Sequence, residues 1–148
     1  MMRQVRTRGG TCALANVVDG RYLAVVVLAV LTAACSTLGP NSPKEEKVKV
    51  VSERAQARWK AVIGKDFEAA YGYLSPKSRA TVTPAGFKAI ASRLAYRDAE
   101  LKDVTCEVET CKVTFRITYD AKLMKEVHSL LEESWIFDGG QAYMVWPL

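Results

Sequence analysis

The sequence predicts an α+β domain in which helices come first and an antiparallel sheet of about four strands follows. Three observations carry that prediction. Apolar residues recur at spacings of three and four through the first half of the domain, then alternate one by one after Tyr96. Pairs of a capping residue and a proline mark helix starts. Asp138-Gly139-Gly140, set between two apolar runs, has the composition of a closing hairpin turn.

Taken in order, Ser42-Pro43-Lys44-Glu45 reads as the first helix start, with Ser42 as cap, proline at the first helical position and Glu45 completing a capping box. Val48, Val51, Ala55, Trp59 and Val62 then form one face, and Trp59 is expected to anchor the core. Arg54, Arg58 and Lys65 fall elsewhere and are expected in or near water. Gly64 is expected to end the helix in the left-handed conformation. Asp66 caps a second helix with Phe67, Ala70, Tyr71 and Leu74 inside, and Ser75-Pro76 stops it. A loose stretch to Val82 follows. Thr83-Pro84 opens a third helix, whose stripe is Phe87, Ile90, Ala91 and Leu94.

Cys111, Val113, Phe115, Ile117 and Tyr119 alternate with Lys112, Thr114, Arg116, Thr118 and Asp120, the signature of a half-buried strand. The strand before it, from about Glu100 to Val108, places Val104, Cys106 and Val108 on one face, with residues 107–110 as the hairpin loop. Residues 121–131 are ambiguous. Leu123, Val127, Leu130 and Leu131 suit a helix, but the position between strands favours an extended connector or frayed strand. Trp135 to Phe137 and Gln141 to Trp146 form the final hairpin.

The first 34 residues read differently from the rest. Arg3, Arg6, Arg8 and Arg21 precede twelve apolar or small residues, Leu23 to Ala34, and Cys35 follows. A helix of that length rises about 18 Å, short of the roughly 30 Å hydrocarbon core, so the plan is that of an export signal rather than a membrane span. Leu31-Thr32-Ala33-Ala34-Cys35 resembles a bacterial lipobox, departing from it at Thr32, where Leu is usual. The resemblance implies cleavage before Cys35 and lipidation of its sulfur. Ser36 after the cysteine implies sorting to the outer membrane, facing the periplasm. The stretch before the apolar run, with Cys12 and Asp19, is long for such a signal and allows a start near Val17 or Val18. Residues 36–41 then form a short tether, and a single domain occupies 42–148.

The 148-residue chain has a calculated pI near 9.1. Setting aside the four leader arginines and Asp19 leaves 17 basic and 15 acidic residues with interspersed signs. That is a solvated surface rather than the basic stripe that nucleic acid requires. In an exported domain, Cys106 and Cys111 favour a local disulfide. Two free thiols remain an alternative, whereas a metal site would need two further ligands and His128 is the only histidine.

The run from Arg54 to Tyr71 through Trp59-Lys60-Ala61 and Gly64-Lys65-Asp66-Phe67, then Leu74-Ser75-Pro76, resembles the opening of nuclear-transport-factor-2-like domains. Glu133-Ser134-Trp135-Ile136 and Gly140-Gln141-Ala142-Tyr143 resemble their close. The resemblance implies a cone in which a curved sheet wraps the helices, often around an apolar pocket. It does not choose a function, since such domains include isomerases, dehydratases and binding modules.

The expected role is a non-catalytic binding or accessory module without cofactor or metal. Its expected partners are the membrane through the lipid anchor, and an envelope protein or apolar small ligand. The alternative is an isomerase or dehydratase similar to ketosteroid isomerase. Such an enzyme needs a buried carboxylate base and an oxyanion donor. The inward positions Val113, Phe115, Ile117 and Tyr119 offer no carboxylate, Asp103 has the opposite parity to Val104 and Cys106, and His128 is expected at the surface. No catalytic residue is therefore named. Trp59, Tyr71, Phe115, Trp135 and Tyr143 are the candidate pocket or core lining. A carboxylate in an open cavity, within reach of a tyrosine hydroxyl, would favour the enzyme.

Overall fold

A computed structural model describes residues 38, 39 and 41–147; the expected signal segment and the expected lipidation site at Cys35 lie outside the described residues. Among the described residues four helices come first: α1 (Lys44–Ile63), α2 (Phe67–Gly72), α3 (Pro76–Thr81) and α4 (Pro84–Ala91). Four strands follow: β1 (Ala95–Cys106), β2 (Thr110–Ala121), β3 (Met124–Asp138) and β4 (Gln141–Val145). The strands pair antiparallel in sequence order, β1-β2-β3-β4. The α+β layout expected from the sequence is the one observed. Among the described residues, no helix is long and apolar enough to cross a membrane.

The core lies between α1 and the inner face of the sheet. Val51, Ala55, Trp59 and Val62 from α1 meet Cys111, Val113, Phe115 and Ile117 from β2 and Trp135 from β3, all buried. The alternation along β2 is kept through its pairing with β3, where Phe115 faces Leu131 and Val113 faces Glu133. Burial of these side chains is the main favourable term, at roughly 25 cal/mol for each Å² of apolar surface removed from water.

Several local expectations are corrected. Ser42 does not cap α1: Pro43 occupies the cap position without a side-chain bond, while the Ser42 hydroxyl accepts from the Gly39 N–H at 3.1 Å. Gly64 stays right-handed at φ −72°, and Lys65 takes the left-handed turn at φ 61°. There Lys65 N–H reaches Val62 O and Asp66 N–H reaches Ala61 O, the paired bonds of a Schellman stop, one residue later than the glycine suggests. The loose stretch after Ser75 is the short helix α3, because Ser75 both ends one segment and caps the next: its hydroxyl accepts from Ser78 N–H. Both positive φ angles of the last turn fall on Gly139 and Gly140, with Asp138 paired to Gln141.

The first strand begins five residues earlier than expected. Register shifts between Tyr96 and Asp98 and between Leu101 and Asp103 each insert a residue, so its half-buried apolar positions run 96, 99, 101, 104 and then buried Cys106. Two bulges thus erase the period-two signal. Val108 is at the hairpin tip and exposed rather than on the inner face. Residues 124–131 belong to one continuous 15-residue strand, β3. Val127 and Leu131 turn inward there, whereas Leu123 and Leu130 are 93% and 69% exposed.

Cys106 and Cys111 are cross-strand partners, 4.0 Å apart at Cα, and are joined by a disulfide at the base of the β1–β2 hairpin. The closed loop is short, so it removes little entropy from the unfolded chain. Cys106→Ser with Cys111→Ser is expected to fold with a loss of only about 1–2 kcal/mol, below the usual range for a disulfide. Urea unfolding of the double variant checks this; a loss of 4 kcal/mol or more (roughly the upper end of that range) would mean that the bond does more than close a loop.

Leu38, expected in the free tether, is 6% exposed, and its N–H bonds Gly140 O at 3.2 Å. An apolar side chain in an otherwise polar tether has reason to bury against the domain.

Candidate functional site

Helix α1 presents a cationic row as well as an apolar one. Lys47, Arg54 and Arg58 are spaced seven and four apart, which sets them near one side of the helix. Lys47 is buried, donates to Val108 O at 2.7 Å and stands 5.6 Å from the Phe137 ring. Arg54 donates through Nε to Ala142 O at 2.6 Å and lies over the rings of Tyr73 and Tyr143. Arg58 is only 3% exposed, contrary to its expected place in or near water. Each cation ties α1 to a different part of the sheet.

The partner that permits burial of Arg58 is Glu133 of β3, also 3% exposed. Arg58 Nη2 donates to Glu133 Oε1. The same oxygen accepts from the Trp59 indole N–H at 2.8 Å, and Oε2 accepts from the Trp135 indole N–H at 3.2 Å. One cation and two neutral donors thus surround one carboxylate. Burying a charge without such partners costs several kcal/mol. Arg58 Nε has no hydrogen-bond partner among the described residues and is buried.

This cluster borders a cavity of about 320 Å³. Its walls are Trp59 and Val62 of α1, Phe87 and Ala91 of α4, Tyr96 of β1, Leu131 of β3, and Met144 with Trp146 at the end of the chain. Exposed Ile90, Glu132, Ser134 and Pro147 also line it, so it reaches the surface. Several local bonds fix these walls. Thr83 caps α4 by accepting from Gly86 N–H, and Phe87 packs against Tyr71 and Trp146 with ring centroids 5.8 and 5.0 Å apart. The Ser78 hydroxyl accepts from Trp146 N–H at 2.9 Å, which holds the chain after β4 against α3. Tyr96 lies 5.2 Å from Trp59, ring to ring. Burial raises its phenol pKa above the ordinary value, nearby Arg58 lowers it in part, and Tyr119 adds to the rise.

Of the five residues expected to line a pocket or core, Trp59 borders the cavity, while Phe115 and Trp135 are fully buried in the core. Tyr71 and Tyr143 stand outside this cavity. The Tyr71 hydroxyl donates to Val82 O at 2.9 Å, and that of Tyr143 to Gln141 Oε1 at 3.2 Å. Both hydroxyls are satisfied locally. His128 is exposed, with Nδ1 3.0 Å from the Thr118 hydroxyl.

The inward β2 positions Val113, Phe115, Ile117 and Tyr119 carry no carboxylate, but Glu133 of β3 brings one to the cavity, which was not expected from the sequence. Among the described residues, the groups bonded to Glu133 are a guanidinium and two indoles, and the Tyr96 phenol lines the same cavity. Two signals for the pair were present in the sequence. Glu133 shares the parity of Trp135, and Val51, Ala55, Arg58 and Val62 follow spacings of four, three and four.

No protein-family model matches the chain, and no curated protein does. Among solved structures, a SEC-C motif containing protein from Rhodopseudomonas palustris is similar at a TM-score of 0.55 and 14% identity, over 63% of this chain and 73% of that one. That likeness concerns the fold alone. A de novo designed protein of the NTF2 fold matches at a TM-score of 0.40 and 16% identity, over 72% and 87% of the two chains.

Proposed function

We propose that this chain is a lipid-anchored envelope protein whose nuclear-transport-factor-2-like domain binds a small apolar ligand and does not catalyse. The observation that carries the non-catalytic part is the state of Glu133. A general base must offer a lone pair to a substrate proton. Three donors from Arg58, Trp59 and Trp135 already take three of the roughly four lone-pair sites of the Glu133 carboxylate. The cavity walls around that cluster are aromatic and aliphatic, the lining suited to an apolar guest. The Glu133 carboxylate and the Tyr96 phenol in the same cavity favour the isomerase alternative, and a direct assay separates the two. In D2O, the purified domain with Glu133 intact is expected to leave the exchange of α-protons of cyclohexanone at the buffer rate; acceleration that disappears in Glu133→Gln would establish an enzyme.

The anchoring part rests on the basic start, the twelve-residue apolar run and Thr32-Ala33-Ala34-Cys35. On this reading the mature protein begins at a lipidated Cys35 and sits on the outer membrane facing the periplasm. Mass spectrometry of the envelope-purified protein is expected to find an acylated N-terminal Cys35, and Cys35→Ala to lose it. A mature form that starts elsewhere or carries no acyl chain refutes the anchor.

A further inference from the structure

The geometry points to a ligand with one hydrogen-bond-accepting oxygen group at the end of a short apolar body, read by the Arg58 guanidinium inside the cavity. This deepens the binding reading above and rests on it. The size follows from the volume. At the roughly 30 Å³ that one water occupies in the liquid, 320 Å³ holds about ten non-hydrogen atoms. The apolar body follows from walls made by Trp59, Val62, Phe87, Ala91, Leu131 and Met144.

The head group follows from an imbalance of donors and acceptors. A guanidinium has five N–H donors and no acceptor. Arg58 spends Nη2 on Glu133, while its buried Nε–H has no partner among the described residues. Glu133 is the acceptor of the cluster, and it already receives three donors. The polar part of the cavity therefore has donors to spare. Leaving buried donors unmet is costly, and an acceptor on a ligand in the cavity that Arg58 lines lowers that cost. A head group that only donates has about one lone-pair site on Glu133 to meet, against the several remaining N–H groups of Arg58 that an acceptor can meet. Glu132, the other carboxylate on the wall, is exposed and lies 3.5 Å from Lys112, so it does not oppose an acceptor deep in the cavity.

Three probes with similar tails and different heads test this: octanoate, octan-2-one and octylammonium. All three tryptophans of the chain are reporters, since Trp59 and Trp146 line the cavity and Trp135 bonds Glu133. Titrations followed by the indole N–H signals in NMR are expected to show an acceptor probe binding at least about tenfold tighter than octylammonium, the effect of one hydrogen bond to a charged group. Movement of the Trp59 and Trp135 signals would place the head near Glu133. Arg58→Lys is expected to remove the preference. Because that variant disturbs a buried ion pair and can fail to fold, Ala91→Leu serves as the second: it fills the cavity from α4, away from the ion pair, and is expected to weaken every probe. Equal binding of all three heads overturns the inference and leaves the binding reading standing. No binding by any probe overturns both.

Discussion

Glu133→Ala is expected to destabilise the domain by about 3–5 kcal/mol, because it strands a buried guanidinium and two buried indole N–H groups. For a domain whose total stability is of order 5–15 kcal/mol, that is close to the threshold of folding. The loss belongs to breaking the pair, not to lacking one. Removing the charge of both partners in Arg58→Met with Glu133→Gln keeps one carbonyl oxygen in place of the two oxygens that the indoles met, and leaves no unpaired ion. That double variant is expected to be more stable than Glu133→Ala, as replaced buried ion pairs often are. Denaturant midpoints of both variants check the ordering. If the double variant is the less stable, the pair contributes net attraction beyond answering its own desolvation.

Trp59→Ala is expected to cost a similar amount, about 3–5 kcal/mol, by a different route. Trp59 is 4% exposed and packs against Tyr96 and Phe115 at centroid distances of 5.2 and 5.9 Å. Its removal opens the core beside an existing cavity, so the surroundings cannot collapse around one small void. Trp59→Phe separates packing from hydrogen bonding, since a phenyl ring refills much of the space and loses only the N–H to Glu133. Its expected loss is about 1.5–3 kcal/mol, the range for one hydrogen bond to a charged group. Because Trp59 and Glu133 share a bond, their effects are expected to couple, by about 0.5 kcal/mol or more in a double-mutant cycle. Thermal unfolding of the set is sufficient, and an unmoved midpoint in Trp59→Ala would mean that the helix is rotated from its described position.

The contrast between β2 and β1 explains how far the sequence was legible. From Cys111 to Tyr119 the inner face is apolar and the pleat unbroken, so alternation in sequence becomes alternation in space. In β1 two bulges reset the parity, and no residue type announces a bulge. In and just before β3, Leu123 and Leu130 point a helix-like pattern at solvent, while Val127 and Leu131 obey the strand; the two periods overlap over so short a run. The site was hidden for another reason. Arg58 fits the apolar stripe of α1 by spacing, but a charged residue is rarely buried unless paired, and its partner is 75 residues away. Only the pairing of β2 with β3 brings Glu133 opposite Val113 and over α1. Composition recognised the core and missed its one ion pair.

The sequential strand order carries a consequence for how the chain folds. Each strand pairs with its immediate neighbour in sequence through connections of two or three residues, 107–109, 122–123 and 139–140. Such hairpins close small loops and form early and cheaply, whereas Arg58 must cross most of the domain to meet Glu133. We expect the meander to assemble first and the charged contact of α1 to form on the downhill side of the barrier. Interactions absent from the transition state govern unfolding rather than folding. In stopped-flow kinetics, weakening the pair with Glu133→Gln should therefore raise the unfolding limb and leave the folding limb nearly in place. Slowed folding would instead put the docking of α1 in the nucleus. With the folding limb in place, the buried pair acts as a latch on the finished fold: it sets how long the domain stays shut rather than how fast it is made.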